Sequence, residues 1–136
     1  MRRSRPLRAA TAGDDFITGL YSGVPFRFLS KSQRHARYVQ SVAFLPTGDS
    51  FVSAGSDGMV YFYAGQDGAD QGALLADGGA QGKAHDGTVF NVCFNPAGDR
   101  LATCSADRTT KVWDAATKQL LQCVPESHQT RAHTSR

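Results

Sequence analysis

Four side chains in the second half of the sequence have types that could act together chemically. They are a histidine, a hydroxyl, a carboxylate and an indole, at His85, Thr103, Asp107 and Trp113. A hydroxyl, an imidazole and a carboxylate could supply the nucleophile, base and orienting group of an acyl-transfer site. The same groups could instead form a buried hydrogen-bond network, because an imidazole and an indole N–H both need partners and a carboxylate is a strong acceptor.

The elements that must position these side chains are three short strands. Alternating apolar runs, which are typical of half-buried strands, lie at residues 89–94, 100–104 and 109–113. Pro96 and Gly98 predict a tight turn between the first two, because Pro presets φ and Gly accepts a positive φ. His85 precedes this meander, Asp107 lies in its second turn and Trp113 ends it. That setting favours a structural network over a catalytic site.

The same pattern begins fifty residues earlier and continues without a gap, as HARYVQSVAFLPTGDSFVSAGSDGMVYFY. The four chemical positions are here taken by His35, Ser53, Asp57 and Tyr63. Tyrosine replaces tryptophan, and since a phenol reaches differently from an indole, the completeness of this second network stays open. A weaker copy at the start lacks the first strand and its histidine, and retains Thr11, Asp15 and Tyr21.

Each copy resembles a WD repeat, one blade of a β-propeller. The resemblance implies that the histidine, hydroxyl, carboxylate and aromatic of a blade form a structural tetrad. We therefore expect an all-β, partial WD-repeat propeller of about two and three-quarter four-stranded antiparallel blades. The predicted divisions are a partial blade with basic N-terminal residues, two full blades and a polar tail, at 1–34, 35–84, 85–124 and 125–136. The predicted outer strands lie at 25–29, 72–75 and 118–124.

A ring of blades closes with about four to eight. We therefore expect an unclosed ring here, a piece of a longer protein, and an isolated chain that self-associates through uncovered sheet faces.

The composition excludes several classes of function. A formal net charge of +3 is too small to indicate nucleic-acid binding, and no apolar run is long enough for a membrane span or a signal peptide. We therefore expect a cytoplasmic protein that binds neither membrane nor nucleic acid. The sequence contains no nucleophile elbow, metal cluster or Gly-rich phosphate loop, so we expect no enzyme activity, metal or cofactor.

The three cysteines do not indicate a disulfide framework, because their number is odd and none forms a C-x-x-C pair. Cys93 and Cys104 fall on predicted core strands, and Cys123 falls on an outer strand. Buried free thiols that act as small hydrophobes are the expectation for the first two.

Several segments go beyond what a generic blade requires, among them RPLRAATAGDDF, SGVPFRF and YFYAGQDG. They are similar to the actin-interacting protein 1 family, and the similarity extends over about residues 5–124. The resemblance implies a non-enzymatic actin-binding protein of the cytoplasmic actin cytoskeleton that cooperates with cofilin in filament disassembly. A generic WD-repeat scaffold, such as a subunit of a ubiquitin ligase or a signalling assembly, is the alternative.

The family resemblance also implies an actin- and cofilin-binding surface, at Asp14, Arg27, Phe28 and Tyr38. Asp14 and Tyr38 fall on two loops that share one end of a blade, so a joint surface is geometrically reasonable. Structural roles remain open for the others: Phe28 could pack between blades, and Arg27 could be an edge charge that opposes aggregation. Tyr38 could also simply stack on a neighbour.

Overall fold

The computed structural model of the chain describes residues 7–13, 16–23, 27–76 and 82–125. These residues form eleven β-strands and no α-helix: β1 (Arg8–Ala12), β2 (Thr18–Ser22), β3 (Arg27–Ser32), β4 (Val39–Phe44), β5 (Ser50–Gly55), β6 (Val60–Ala64), β7 (Asp70–Ala73), β8 (Val89–Phe94), β9 (Arg100–Ser105), β10 (Thr109–Asp114) and β11 (Leu120–Pro125). None of the described segments is a helix long and apolar enough to cross a membrane.

Consecutive strands pair antiparallel into three sheets. We call them blade 1 (β1-β2-β3), blade 2 (β4-β5-β6-β7) and blade 3 (β8-β9-β10-β11). The inner strands of successive blades lie side by side, β1 next to β4 and β4 next to β8, and the described sheets do not close a ring. The predicted all-β fold, a partial WD-repeat propeller, is therefore confirmed.

The outer strands differ from prediction by a few residues. β3 is predicted at 25–29 and spans Arg27–Ser32, β7 is predicted at 72–75 and spans Asp70–Ala73, and β11 is predicted at 118–124 and spans Leu120–Pro125. Residues 24–26 lie outside the described segments. The β11 boundary moves because Lys118 has a φ of 65° and belongs to the preceding turn, a conformation that a strand residue does not adopt.

The Pro–Gly turns link the first two strands of each full blade as predicted. Gly48 and Gly98 have φ values of 81° and 78°, in the left-handed region that glycine enters without a steric penalty. In both turns the glycine N–H closes the turn, on Leu45 O at 2.8 Å and on Asn95 O at 2.9 Å. We call this end of the blades the Pro–Gly end. The other end carries Asp57 and Asp107, and we call it the tetrad end.

The core consists of two layers between the blades. Each sheet has an N-side face, turned toward the preceding blade, and a C-side face, turned toward the following one. Leu20 of blade 1 packs on Phe51 and Tyr63 of the N-side face of blade 2. The larger layer joins the C-side face of blade 2 to the N-side face of blade 3, and includes Val52, Val60, Phe62, Val89, Leu101 and Trp113. Because successive side chains of a strand point to opposite faces, the strands of blade 2 contribute residues to both layers.

The prediction that Cys93 and Cys104 are buried is wrong, since both thiols are exposed, as is Cys123. Cys104 follows Thr103 on β9, and Thr103 is buried on the N-side face. Successive side chains alternate between faces, so Cys104 lies on the C-side face of blade 3, as does Cys93, which pairs with Ala102. The same face of blade 2 is covered by blade 3, but no described sheet covers it in blade 3.

Candidate functional site

The four chemical side chains of blade 3 lie in one hydrogen-bonded row. Trp113 Nε1 donates to Thr103 Oγ1 at 3.0 Å, and Thr103 Oγ1 lies 2.6 Å from His85 Nε2. His85 Nδ1 lies 3.0 Å from Asp107 Oδ2. Because the Asp107 carboxylate can only accept, the proton of the neutral His85 ring lies on Nδ1, and Nε2 accepts from the Thr103 O–H. Each group has a partner of the right polarity.

The row is unsuited to nucleophilic attack. Trp113 and Thr103 are both fully buried, at 0% exposure, and His85 is at 1%. The hydroxyl of Thr103 is held between an indole donor and an imidazole acceptor, so a substrate carbonyl cannot approach it. Burial lowers the pKa of His85, partly opposed by the Asp107 carboxylate, so the imidazole is neutral at neutral pH. The geometry is that of a structural network.

Asp107 is the anchor of this network at the tetrad end. Burial opposes its ionisation, but hydrogen bonds outweigh that effect and lower its pKa to about 2. The donors are Thr109 Oγ1 at 2.6 Å, Thr109 N at 3.0 Å, Asp86 N at 3.2 Å and the His85 ring. The carboxylate therefore joins the loop before β8 to the turn before β10 through hydrogen bonds. Thr109 was missed in the sequence; its position two residues after the Asp is the only signal that could have indicated it.

Blade 2 has a row of the same form despite its tyrosine. His35 Nε2 lies 2.7 Å from Ser53 Oγ, which lies 2.9 Å from Tyr63 Oη. The phenol therefore reaches the hydroxyl as closely as the indole does in blade 3, and it stacks on Phe51 at 4.8 Å. At the other end, Asp57 contacts His35 Nδ1 at 3.0 Å and accepts from Ala36 N at 2.8 Å. Burial opposes the ionisation of Asp57, but its hydrogen bonds outweigh this and lower its pKa.

A cation beside each row was missed in the sequence. In blade 3, Lys111 Nζ donates to Ala84 O at 2.7 Å. In blade 2 the same repeat position is Tyr61, and the cation comes instead from Arg34, whose guanidinium lies 4.0 Å from the Tyr61 ring centroid. Arg34 also pairs with Asp70 at 2.9 Å. In the aligned repeats Lys111 of blade 3 corresponds to Tyr61 of blade 2, and Ala84 corresponds to Arg34, so both differences were visible in the sequence.

The partial set in blade 1 is not joined in the same way. Tyr21 contacts Phe28 edge-on at 5.7 Å, and Thr11 is exposed. Among the described residues no hydrogen bond links Thr11 to Tyr21, and Asp15 lies outside them. The tetrad role of these three residues stays a prediction.

The surface residues implied by the family resemblance fall at opposite ends of the blades, on blade 1 and on the loop that precedes blade 2. Arg27 and Phe28 are exposed and pair with Ser22 and Tyr21, at the Pro–Gly end. Tyr38, 53% exposed, lies at the tetrad end. The length of β2, five residues at about 3.3 Å each or about 16 Å, separates these two ends.

Tyr38 is held by the turn that precedes β2. Its ring lies 5.8 Å from that of Phe16, and the adjacent Val39 N donates to Gly13 O at 3.2 Å. Asp14, the fourth predicted residue, lies outside the described segments. Gly13, which precedes Asp14 in the chain, is the residue whose carbonyl oxygen accepts from Val39 N at the start of β4. Phe28, at 57% exposure, is not packed between blades.

No cluster of three or more His, Cys, Asp or Glu side chains that could hold a metal ion occurs in the part of the chain that the structure describes.

The WD domain, G-beta repeat pattern matches residues 26–63 and 80–114. The chain belongs to this family. The two matched segments end at Tyr63 and Asp114, so they contain the tetrad rows of blades 2 and 3.

Longer curated WD-repeat proteins are similar to nearly the whole chain. WD repeat-containing protein 1 of Gallus gallus is 36% identical over 121 residues, which are 89% of this chain and 19% of that protein. WD repeat-containing protein 1 of Mus musculus is 33% identical over 125 residues, 92% of this chain and 20% of that protein. Actin-interacting protein 1 of Drosophila melanogaster is 35% identical over 120 residues, 88% of this chain and 19% of that protein. The predicted resemblance is confirmed, and the chain spans about a fifth of the length of these relatives.

Proposed function

We propose that this chain supplies a non-enzymatic binding surface for actin filaments and acts with cofilin in their disassembly, at the cytoplasmic actin cytoskeleton. Its similarity to a protein named actin-interacting protein 1 supports the actin partner. The observation that carries the proposal is Tyr38, an aromatic side chain that is more than half exposed yet fixed in place. Exposed rigid aromatics are effective anchors, because they offer a large contact area and lose little side-chain entropy on binding.

The backbone around Tyr38 is fixed from three sides. Tyr38 O accepts from Ser56 N at 2.8 Å, in the turn between the second and third strands of blade 2. Val39 N is bound to Gly13 O, and Ala36 N is bound to the Asp57 carboxylate. The tetrad row of blade 2 therefore ends in the loop that presents Tyr38. A preformed loop of this kind reduces the ordering cost of association.

A rigid surface can promote disassembly without chemistry. If it binds the cofilin-decorated form of the filament more tightly than the bare form, it shifts the population toward that form. The distance between Tyr38 and the pair Arg27 and Phe28 means that a partner contacting both must cover one end of blade 1 and extend along its edge. We therefore assign the primary contact to Tyr38 and a secondary contact to Phe28.

The test is retention of actin filaments by the immobilised 136-residue chain, with and without cofilin. Coupling at low density keeps copies apart. Tyr38→Ala should weaken retention about ten-fold or more, as expected for an interface anchor. Thr88→Ala is the matched control, because Thr88 O accepts from Ala106 N at 2.8 Å just as Tyr38 O accepts from Ser56 N.

Equal retention by the wild-type chain and Tyr38→Ala would refute the assignment of Tyr38. No retention by the wild-type chain, bare or with cofilin, would refute the proposed function of this segment.

A further inference from the structure

A groove of about 680 Å³ lies between the outer edge of blade 2 and the turn before β11 of blade 3. One wall is the end of blade 2, with Ala73 and Leu75, and the other is the turn before β11, with Lys118 and Leu120. Leu75 is 39% exposed, so an apolar side chain is accessible in the wall. None of the described residues that line the groove belongs to the surface proposed above.

Among the described residues that line the groove, Lys118 is the one that carries a charge. Its aliphatic stem extends to Gly72 of blade 2, and its ammonium lies 4.7 Å from the centroid of the Phe62 ring. No described carboxylate forms an ion pair with it. The groove therefore has a positive charge that has no acidic partner among the described residues.

The backbone of Lys118 is unusual for a lysine. Its φ of 65° lies in the left-handed region, and the same repeat position in blade 2 is Gly68, with a φ of 79°. A non-glycine residue is disfavoured in this conformation, because its Cβ approaches the following carbonyl oxygen. Glycine would form this turn more easily, but blade 3 has lysine at this position, and its side chain lines the groove.

The strand beside the groove is a sheet edge that no described strand covers. β11 is the outermost strand of blade 3, and its sequence LLQCVP contains no charged residue. Leu121 and Val124 are 47% and 44% exposed. Outer strands β3 and β7 carry Arg27, Lys31 and Asp70, charges of the kind that protect an edge from pairing with another chain.

We propose that the groove and the edge of β11 bind an extended, acidic segment of a partner protein. Its backbone would pair with β11 as an added strand, because edge N–H and C=O groups are available for a further ladder. One apolar side chain of the segment would enter the groove between Leu75 and Leu120, and a carboxylate would pair with Lys118. Charge complementarity specifies the acidic character, since Lys118 provides the only charge among the described residues of the lining.

The test uses the whole 136-residue chain displayed on yeast cells and a fluorescent octapeptide that alternates Glu with Val and Leu. One comparison peptide has Lys for each Glu, and another has a central Pro, which cannot donate to a β-ladder. We expect the acidic peptide to bind, the basic peptide to bind at least about ten-fold more weakly, and the Pro peptide not to bind.

Two variants locate the site. Lys118→Gly should weaken binding of the acidic peptide about five-fold while protease resistance is unchanged or higher, because glycine suits this backbone conformation. Leu121→Glu should also weaken it, by placing a like charge on the edge. Tyr38→Ala is the control and should bind the peptide as the wild-type chain does. Failure of the acidic peptide to bind, equal binding of the acidic and basic peptides, or unchanged binding to Lys118→Gly would overturn the proposal.

Discussion

Removing the carboxylate at the end of each tetrad row should cost blade 3 more than blade 2. Asp107→Ala deletes the acceptor for His85, for two backbone N–H groups and for the Thr109 hydroxyl. It leaves the buried Nδ1–H of His85 without its carboxylate, and we expect the free energy of unfolding to fall by about 3 kcal/mol. Asp57→Ala should cost about 2 kcal/mol, because its counterpart of Thr109 is Met59, which offers only a backbone N–H.

The difference arises at the acidic end of the rows rather than at the aromatic end. Tyr63 and Trp113 reach their hydroxyl partners at 2.9 and 3.0 Å, so the two aromatics complete their rows equally well. The hydroxyl of Thr109, at 2.6 Å from Asp107, is the contact that has no counterpart in blade 2. Thr109→Val should therefore remove about 1 kcal/mol and reduce the gap between the two alanine variants.

The same contacts set the dependence on pH. The Asp107 pKa of about 2 lies below the ordinary 3.8, so the unfolded chain binds this proton first as pH falls. Its contribution is complete above pH 3.8, decreases below it and is lost at about pH 2, and it amounts to about 2 kcal/mol. The lowered pKa of His85 acts in the same direction, because below pH 6.5 the unfolded chain takes up a proton that the folded chain resists.

The assay is urea unfolding at a fixed low protein concentration, followed by circular dichroism and by the fluorescence of Trp113, the one tryptophan of the chain. Each variant is measured at neutral pH and at pH values below 6.5. Thr109→Val should lose less stability than the wild-type chain between pH 3.8 and pH 2. Equal costs for Asp57→Ala and Asp107→Ala, or no effect of Thr109→Val, would refute this account.

Two further predictions concern the C-side face of blade 3. The isolated chain should associate as its concentration rises, because no described sheet covers this face and association would bury its apolar surface, which is favourable by about 25 cal/mol per Å². A monodisperse monomer in light scattering at all concentrations would contradict this. Cys93 and Cys104 should react with a thiol reagent in the dilute folded chain nearly as fast as in urea, since both are exposed; strong protection under native conditions would show that the face is covered.

The turn positions and the four chemical positions of blades 2 and 3 are visible in the sequence because they depend on local chemistry. A repeat of the same histidine, hydroxyl, carboxylate and aromatic, with Pro–Gly turns at fixed offsets, is visible along the chain. Such positions specify strands and their order, because turn type and alternation act over a few residues. The order and antiparallel pairing of the strands in blades 2 and 3 agree with that expectation.

The tertiary structure decided what each side chain meets. Alternation places Cys93 and Cys104 on one face of a sheet, but it does not say whether a neighbouring sheet covers that face, and so their burial was predicted wrongly. The reach of the Tyr63 phenol to Ser53, the replacement of Lys111 by Arg34, and the separation of Phe28 from Tyr38 also depend on distances across strands. Contacts of this kind come from side chains brought together by packing, and the sequence spacing alone does not encode their lengths.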